Sequence, residues 1–229
     1  MKKTGYMLEH LSIGLYHVTM LSGDNQIRAE NQQGRSAIPR KPSETTRQTP
    51  RVTEAYLLGA LHDATYNVRR KTHRFSQANI GWLSVLKQQL ASLGYKSWIY
   101  REGKTRFVYV LETSAKFLSL SFDPSRFPSA EEKIAYIRGF FDAEGGLPRS
   151  QDARFYIQLV QKNQFKLNWI REELMGMNVN CGVIHIPSKK VDPDYFRFFV
   201  STRSHETFGE LIGSWHPRKK LIFDSRVKI

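Results

Sequence analysis

The sequence predicts an α/β (α+β) molecule built from two copies of one unit, each in the order helix, strand, strand, helix, strand, strand, helix. Three observations carry that prediction. A helix-forming stretch from Ala55 to Asp63 returns as Ala135 to Asp142, with Tyr56 and Tyr136 80 residues apart. The run Arg74-Phe75-Ser76-Gln77-Ala78-Asn79 is answered by Gln158-Leu159-Val160-Gln161-Lys162-Asn163, and an amphipathic helix follows each, ending at Leu93-Gly94-Tyr95 or Met175-Gly176-Met177. Each copy then offers a charged loop, a strand-like run (Phe107 to Leu111; Tyr195 to Val200) and a short final helix.

Taken in order, residues 1–50 are a compositional outlier. From Ser22 to Pro50 the chain is rich in Gln, Asn, Ser, Thr, Arg and Pro with little apolar periodicity, so a disordered extension is predicted. The first unit spans 51–125 and the second 126–213, and residues 214–229 are read as a basic tail. The second unit's first helix is well marked. Pro128 and Ser129 with Glu132 three residues on form a capping box, in which hydroxyl and carboxylate satisfy orphan amides at the helix entry. That helix should run from Ala130 to near Glu144, where Gly145-Gly146 frees the backbone and Pro148 forbids continuation. Thr53 plays a weaker version of the same role for the first copy.

Composition narrows the function classes. At 229 residues, 40% hydrophobic and 12% aromatic, the chain has enough apolar surface for a substantial core. The formal net charge is +14 and residues 1–50 hold little of it, so the folded part carries the basic character expected of a protein with a polyanionic partner. Cys181 is the single cysteine, which excludes an intramolecular disulfide and a cysteine-rich zinc cage. His62, His73, His185, His205 and His216 show no metal-ligand spacing. Lys2 and Lys3 before Leu11 to Leu21 mimic a leader, but Glu9, His10 and His17 interrupt it. No apolar run reaches the roughly 18 residues of a membrane span. A cytoplasmic, nucleoid or organelle-matrix location is expected.

The basic residues recur at matching places in the two units. Arg69, Arg70, Lys71 and Arg74 span the first hairpin, while Arg149, Arg154, Gln158 and Lys162 span the second. Lys104 and Arg106, beside Arg101, mark a further turn of the first unit, and Lys189 and Lys190 one of the second. A twisted antiparallel sheet that follows a major groove needs such a distribution, with alternate side chains on base edges and hairpin tips on phosphates.

The two repeated helices resemble the LAGLIDADG motif, in which a helix ends in a metal-binding acid. The second copy, Ile137-Arg138-Gly139-Phe140-Phe141-Asp142-Ala143-Glu144-Gly145, fits closely; the first, Leu57-Leu58-Gly59-Ala60-Leu61-His62-Asp63, fits less well. The resemblance covers roughly residues 53 to 213. It implies two pseudo-symmetric units packed through these helices beneath a saddle of antiparallel strands. It further implies a monomeric, intron-encoded homing endonuclease that cleaves a long asymmetric site in double-stranded DNA with Mg²⁺ or Mn²⁺. On that resemblance Glu144, with the backbone carbonyl of Ala143 nearby, is a metal ligand, Asp63 is the substitute acid of the first copy, Gln77 and Gln161 order water, and Arg203 stabilises phosphate charge.

The first copy departs from the pattern. Aligned on Ala60 and Asp63, its penultimate position is Thr65 and its last Tyr66, where an acid and a glycine belong, and the counterpart of Arg203 is Glu112. Asp63 replaces the missing acid only if the helix end is rotated or unwound; otherwise it is a polar helix-terminal residue. These departures favour an alternative, a non-cleaving nucleic-acid binder such as an intron RNA maturase or a repurposed DNA-binding protein. With no N-terminal nucleophile and no terminal His-Asn pair, an intein is not expected.

Overall fold

The structure, a computed structural model, describes residues 50–103 and 107–227. All but the last residue of the predicted extension, together with Lys104 and Arg106, lies outside the described residues. The described chain runs α1 (Pro50–Ala60), a 3₁₀ turn (Leu61–Asp63), β1 (Ala64–Asn67), β2 (Thr72–Gln77), α2 (Ile80–Ser92), β3 (Ser97–Glu102) and β4 (Val108–Thr113). The second unit follows with α3 (Ala130–Glu144), β5 (Gln158–Gln161), α4 (Gln164–Gly176), β6 (Phe196–Phe199) and α5 (His205–Leu211), and α6 (Pro217–Arg226) comes after it.

The two repeated helices, α1 and α3, are the centre of the core. Gly59 and Gly139 explain how they meet. A Cβ on Gly59 would overlap the carbonyl oxygen of Tyr136 and stand 2.7 Å from the amide of Phe140; one on Gly139 would overlap the Tyr56 carbonyl oxygen and stand 2.8 Å from the Ala60 amide. The contact is therefore backbone against backbone, and reciprocal at the 80-residue offset. Ala55, Tyr56, Leu57, Ala135, Tyr136, Ile137 and Phe140 are buried around it. The capping box is formed as expected: Ser129 Oγ accepts from Glu132 N and Glu132 accepts from Ser129 N, each at 3.2 Å.

In the first unit the strands order β1-β2-β4-β3, all antiparallel. Pleating sends Phe75, Leu111 and Ile99 inward against the helices, with Phe75 and Leu111 fully buried. The opposite face carries Arg74, Trp98, Tyr100 and Glu112, and Trp98 is about half exposed there. The predicted closing helix of this unit is absent: residues 114–129 hold only a 3₁₀ turn, Pro124–Arg126, because Pro124 and Pro128 break a longer run.

The second unit is reduced. Only β5 and β6 form a ladder, extended by isolated bridges at Gly146–Gln158, Cys181–Val200 and His185–Arg197. Pro148, Pro187 and Pro193 fall where further strand pairing was predicted, and a proline has no amide to donate to a ladder. The expected basic tail is also corrected. Pro217 opens α6 at a position where its missing amide is harmless, and the helix buries Lys219 and Phe223 against the core.

Candidate metal centre and nucleic-acid interface

The C-terminal ends of α1 and α3 bring two acids together. α3 stays α-helical through Glu144, five residues beyond Gly139, and closes with Gly145 N donating to Phe141 O at 2.8 Å. α1 ends at Ala60 and passes into the 3₁₀ turn Leu61–Asp63. A 3₁₀ residue rises about 2.0 Å against about 1.5 Å in an α-helix. Four steps from Gly59 to Asp63, three of them in the tighter coil, therefore climb about 7.5 Å, as do five α-helical steps from Gly139 to Glu144. The 3₁₀ turn makes up the residue the first motif lacks. In the glycine register Ala64 is the counterpart of Glu144, and Thr65 is an exposed residue of β1 opposite Arg74, not a helix-end ligand.

The electrostatics register this approach. Burial pushes the Glu144 carboxyl up to about 7, nearby Asp63 pushes it further in the same direction, and Lys219 opposes both. Burial pushes Asp63 up to about 6, against the opposing pull of a hydrogen bond from Gln77 Nε2 and the charge of Lys219. Two half-buried carboxyls with raised proton affinity, one of them pushed further by the other, are a hard-oxygen pair that a divalent cation would neutralise.

Around the pair the two helices are cross-tied through residues six apart on each. Tyr56 OH donates to Asp142 Oδ2 at 2.8 Å and accepts from Trp82 Nε1 at 3.0 Å. On the other side Gln161 Nε2 donates to His62 Nδ1 at 3.0 Å, which leaves Nε2 of a neutral ring to donate to Tyr136 OH at 2.9 Å. Burial holds His62 neutral by lowering its pKa to about 3. Asp142 also accepts from Ser214 Oγ, from Trp215 N at 2.9 Å and from His216 N at 3.1 Å. It fastens the chain after α5 to the end of α3.

The sequence-predicted site residues thus separate. Asp63, Glu144 and Gln77 come together, with Ala143 next to Glu144 on the same helix end. Gln161 does not reach the carboxylates; its amide is taken by His62. Arg203, in the 3₁₀ turn after β6, donates to Asn180 Oδ1 at 3.3 Å on the surface instead of reaching the pair. The cation beside the acids is Lys219, which donates to the Phe141 and Asp142 carbonyl oxygens, the latter at 2.9 Å. A sequence signal for it existed in Pro217 followed by Phe223 and Val227 at helical spacing. Among the described residues no three His, Cys, Asp or Glu side chains cluster as a metal cage.

The predicted phosphate and base contacts sort by their partners. Arg69, Arg70 and Lys71 form the exposed β1–β2 tip, with Lys71 at φ 54° in the turn. Arg74 is held on the outer sheet face, 2.6 Å from Glu102 Oε1 and 3.3 Å from Tyr100 OH. Glu112 is fully buried there, accepting from Thr72 and Tyr100 with Arg70 at 3.6 Å, so it braces the arginines and is no counterpart of Arg203. In the second unit Arg149, Arg154, Lys189 and Lys190 are exposed, Gln158 pairs with Phe199 in the ladder, and Lys162 bridges to Asp192 at 3.1 Å.

No protein-family model and no curated protein sequence matches this chain. Solved structures do. The homing endonuclease I-DmoI, crystallised with DNA and Mn, superposes with a TM-score of 0.55 at 20% identity, over 72% of this chain and 98% of that one. The fold is of the LAGLIDADG type. Mesophilic variants of I-DmoI share that LAGLIDADG-type fold with this chain at TM-score 0.57 and 19% identity, over 78% of this chain and 100% of theirs. The N-terminal LAGLIDADG domain of DUF199/WhiA superposes at TM-score 0.57 and 17% identity, over 74% of this chain and 85% of that one.

Proposed function

We propose that the protein is a metal-dependent endonuclease that binds a long asymmetric site in double-stranded DNA as a monomer and hydrolyses its phosphodiester bonds. The observation that carries this reading is the juxtaposition of Asp63 and Glu144, one from the end of each LAGLIDADG-type helix. The donor set fits Mg²⁺ or Mn²⁺, which need few protein ligands because one or two carboxylates and the substrate phosphates complete the shell. When bound, such an ion supplies Lewis-acid charge to the phosphate and acidifies water. Asp63 and Glu144 would hold it together with the Ala143 carbonyl at the same helix end, and Gln77 fixes the orientation of Asp63. The β1–β2 tip arginines grip the backbone on the side of the first unit, and the exposed Arg149, Arg154, Lys189 and Lys190 on the side of the second. Relatives of this fold include an enzyme crystallised with DNA and Mn, which supports DNA and divalent metal as partners, although a shared fold does not transfer an activity.

The test begins with duplexes selected from a randomised pool in Ca²⁺. These are then incubated with the protein in Mg²⁺ or Mn²⁺. Wild type should cut the selected duplex, and Glu144→Gln should bind it with unchanged affinity while losing at least 100-fold in cleavage rate. A specific observation favours a second reading, a non-cleaving DNA binder or intron RNA maturase: Ala64 stands at the first motif's acid position, and neither Gln161 nor Arg203 reaches the pair. Selected duplex that is bound but neither nicked nor cut in either metal establishes that reading in place of the first.

A further inference from the structure

Gln77 pairs with Tyr109 at the end of β2, and Gln161 pairs with Phe196 at the end of β5, so the strands of the two units align residue by residue. In that register Glu112, opposite Arg74, answers to Phe199, opposite Gln158. On the outer face of the first unit the groups around Glu112 are joined by hydrogen bonds: Thr72 and Tyr100 donate to it, and Arg74 donates to Glu102. On the same face of the second unit flat groups take their place. Phe199 lies 6.0 Å from His185, with the two planes 23° apart, and 6.0 Å from Tyr156, which meets it edge-on. The Arg197 guanidinium lies over the Phe199 ring at 4.8 Å. All four side chains are partly exposed. A cleft of about 280 Å³ opens beside Tyr156 and Phe199, with the exposed Arg154 in its lining.

A reduced sheet has an ordinary reason to carry aromatics, since two strands alone must cover their own outer face. That reason accounts for Phe199 and Tyr156 but not for the groups laid beside them. An arginine and a histidine are poor apolar cover. Arg197 Nε has no hydrogen-bond partner among the described residues, and a terminal nitrogen of the same guanidinium donates to His185 Nε2 at 3.4 Å, so stacking sets its place on the ring. We propose that the outer face of the second unit is a stacking platform for unpaired nucleotides, with bases against the Phe199, His185 and Tyr156 cluster and phosphates met by Arg154, Lys189 and Lys190. The last two are exposed on the segment between His185 and β6. The inference rests on the reading of the sheets as the nucleic-acid face and is independent of the metal centre. Every base has a π-face, so such a platform tolerates any sequence, and an arginine beside the ring adds attraction. A closed duplex hides those faces within its own stack. The second unit therefore favours a single strand or a locally opened site, while the polar face of the first unit suits base edges in a groove.

The experiment is fluorescence anisotropy of the full chain with a mixed-sequence DNA strand, the RNA strand of the same sequence and the corresponding DNA duplex, each across a KCl series, in wild type, Phe199→Leu and Phe199→Tyr. Phe199→Leu should weaken single-strand binding about tenfold and leave duplex binding within about twofold. It should also leave the slope of log affinity against log salt unchanged, because a ring neutralises no phosphate. Phe199→Tyr keeps the π-face and should behave as wild type. Loss with both strands supports the inference, and loss with one alone supports it and names the nucleic acid. Equal loss on duplex and strands, a changed salt slope, or full single-strand binding by Phe199→Leu overturns the inference and leaves the sheets standing as a DNA face. Wild type that binds neither strand nor duplex overturns that reading and the inference with it. Should Phe199→Leu lose cooperative melting, Tyr156→Leu is held to the same outcomes.

Discussion

In the first unit four strands pair along full registers and a buried Glu112 braces a row of arginines, whereas its motif helix stops early at Ala60. In the second unit the motif helix runs unbroken to Glu144, whereas the sheet shrinks to two strands and three bridges. Each half is strong where the other is weak. The ordered sheet surface lies in the first half and the unbroken helix end that carries Glu144 in the second. The same division appears at the crossing ties: Tyr56 meets a carboxylate of the second helix, while Tyr136 meets a neutral imidazole of the first.

That contrast predicts unequal dependence on the two ties, and this is the largest effect expected. Asp142→Ala strands Tyr56, Ser214 and the amides of Trp215 and His216 in the core, and should destabilise by about 3–5 kcal/mol. His62→Ala removes a neutral ring shared by Gln161 and Tyr136 and should cost about 1–3 kcal/mol. Urea unfolding of the two variants checks it. Equal losses would mean that the ties are equivalent despite their chemistry.

These features differ in how far they were legible in the chain. The α3 helix was readable to the residue because its signals are local: Ser129 and Glu132 at one end, Gly145 and Pro148 at the other. The pairing of α1 and α3 was expected from the resemblance of both helices to one motif, and the structure shows Gly59 and Gly139 carrying it. Asp63 was readable only as a conditional substitute, because its place depends on three residues coiling as 3₁₀, which shifts the alignment from the Asp63 register to the glycine register. Lys219 was hidden because its partners lie 77 and 78 residues away and its burial depends on α6 docking. The missing strands of the second unit reflect prolines that were visible, but whose effect was outweighed by the repeat.

A middle-sized effect follows from the acid pair, where the halves meet. Glu144 titrates near 7 and Asp63 near 6 in the folded chain, both above ordinary carboxyls at about 4. For such raised acids the folded state holds protons the unfolded state has released. Their stabilising contribution is full below about pH 4 and is lost as pH rises through 6 to 7. His62, lowered to about 3, and His216, lowered to about 4, act in the opposite direction, removing stability as pH falls below about 6.5. The acids are therefore isolated by difference. Between pH 5 and 8 the melting temperature of wild type should fall relative to that of Glu144→Gln, and saturating Mn²⁺ should narrow the gap at pH 8. Parallel curves would show that burial does not raise the Glu144 carboxyl in the folded chain.

The smallest effect concerns the ordered surface of the first unit, and it separates arginines that look alike in sequence. Arg70 sits at the exposed tip with only a 3.6 Å approach to Glu112, so its charge is available to a phosphate. Arg74 is bound at 2.6 Å to Glu102, and part of its charge is already spent within the protein. Each phosphate neutralised by an arginine releases condensed counterions, which adds about 0.9 to the slope of log affinity against log salt. Arg70→Ala should therefore flatten that slope by about 0.9, and Arg74→Ala by clearly less, in anisotropy titrations of a selected duplex across a KCl series. If Arg74 proves equal to Arg70, Glu102 must release it on binding, and Glu102→Gln should then tighten binding in wild type. A slope that neither variant changes would remove this sheet from the DNA contact and move the grip to the exposed lysines of the second unit.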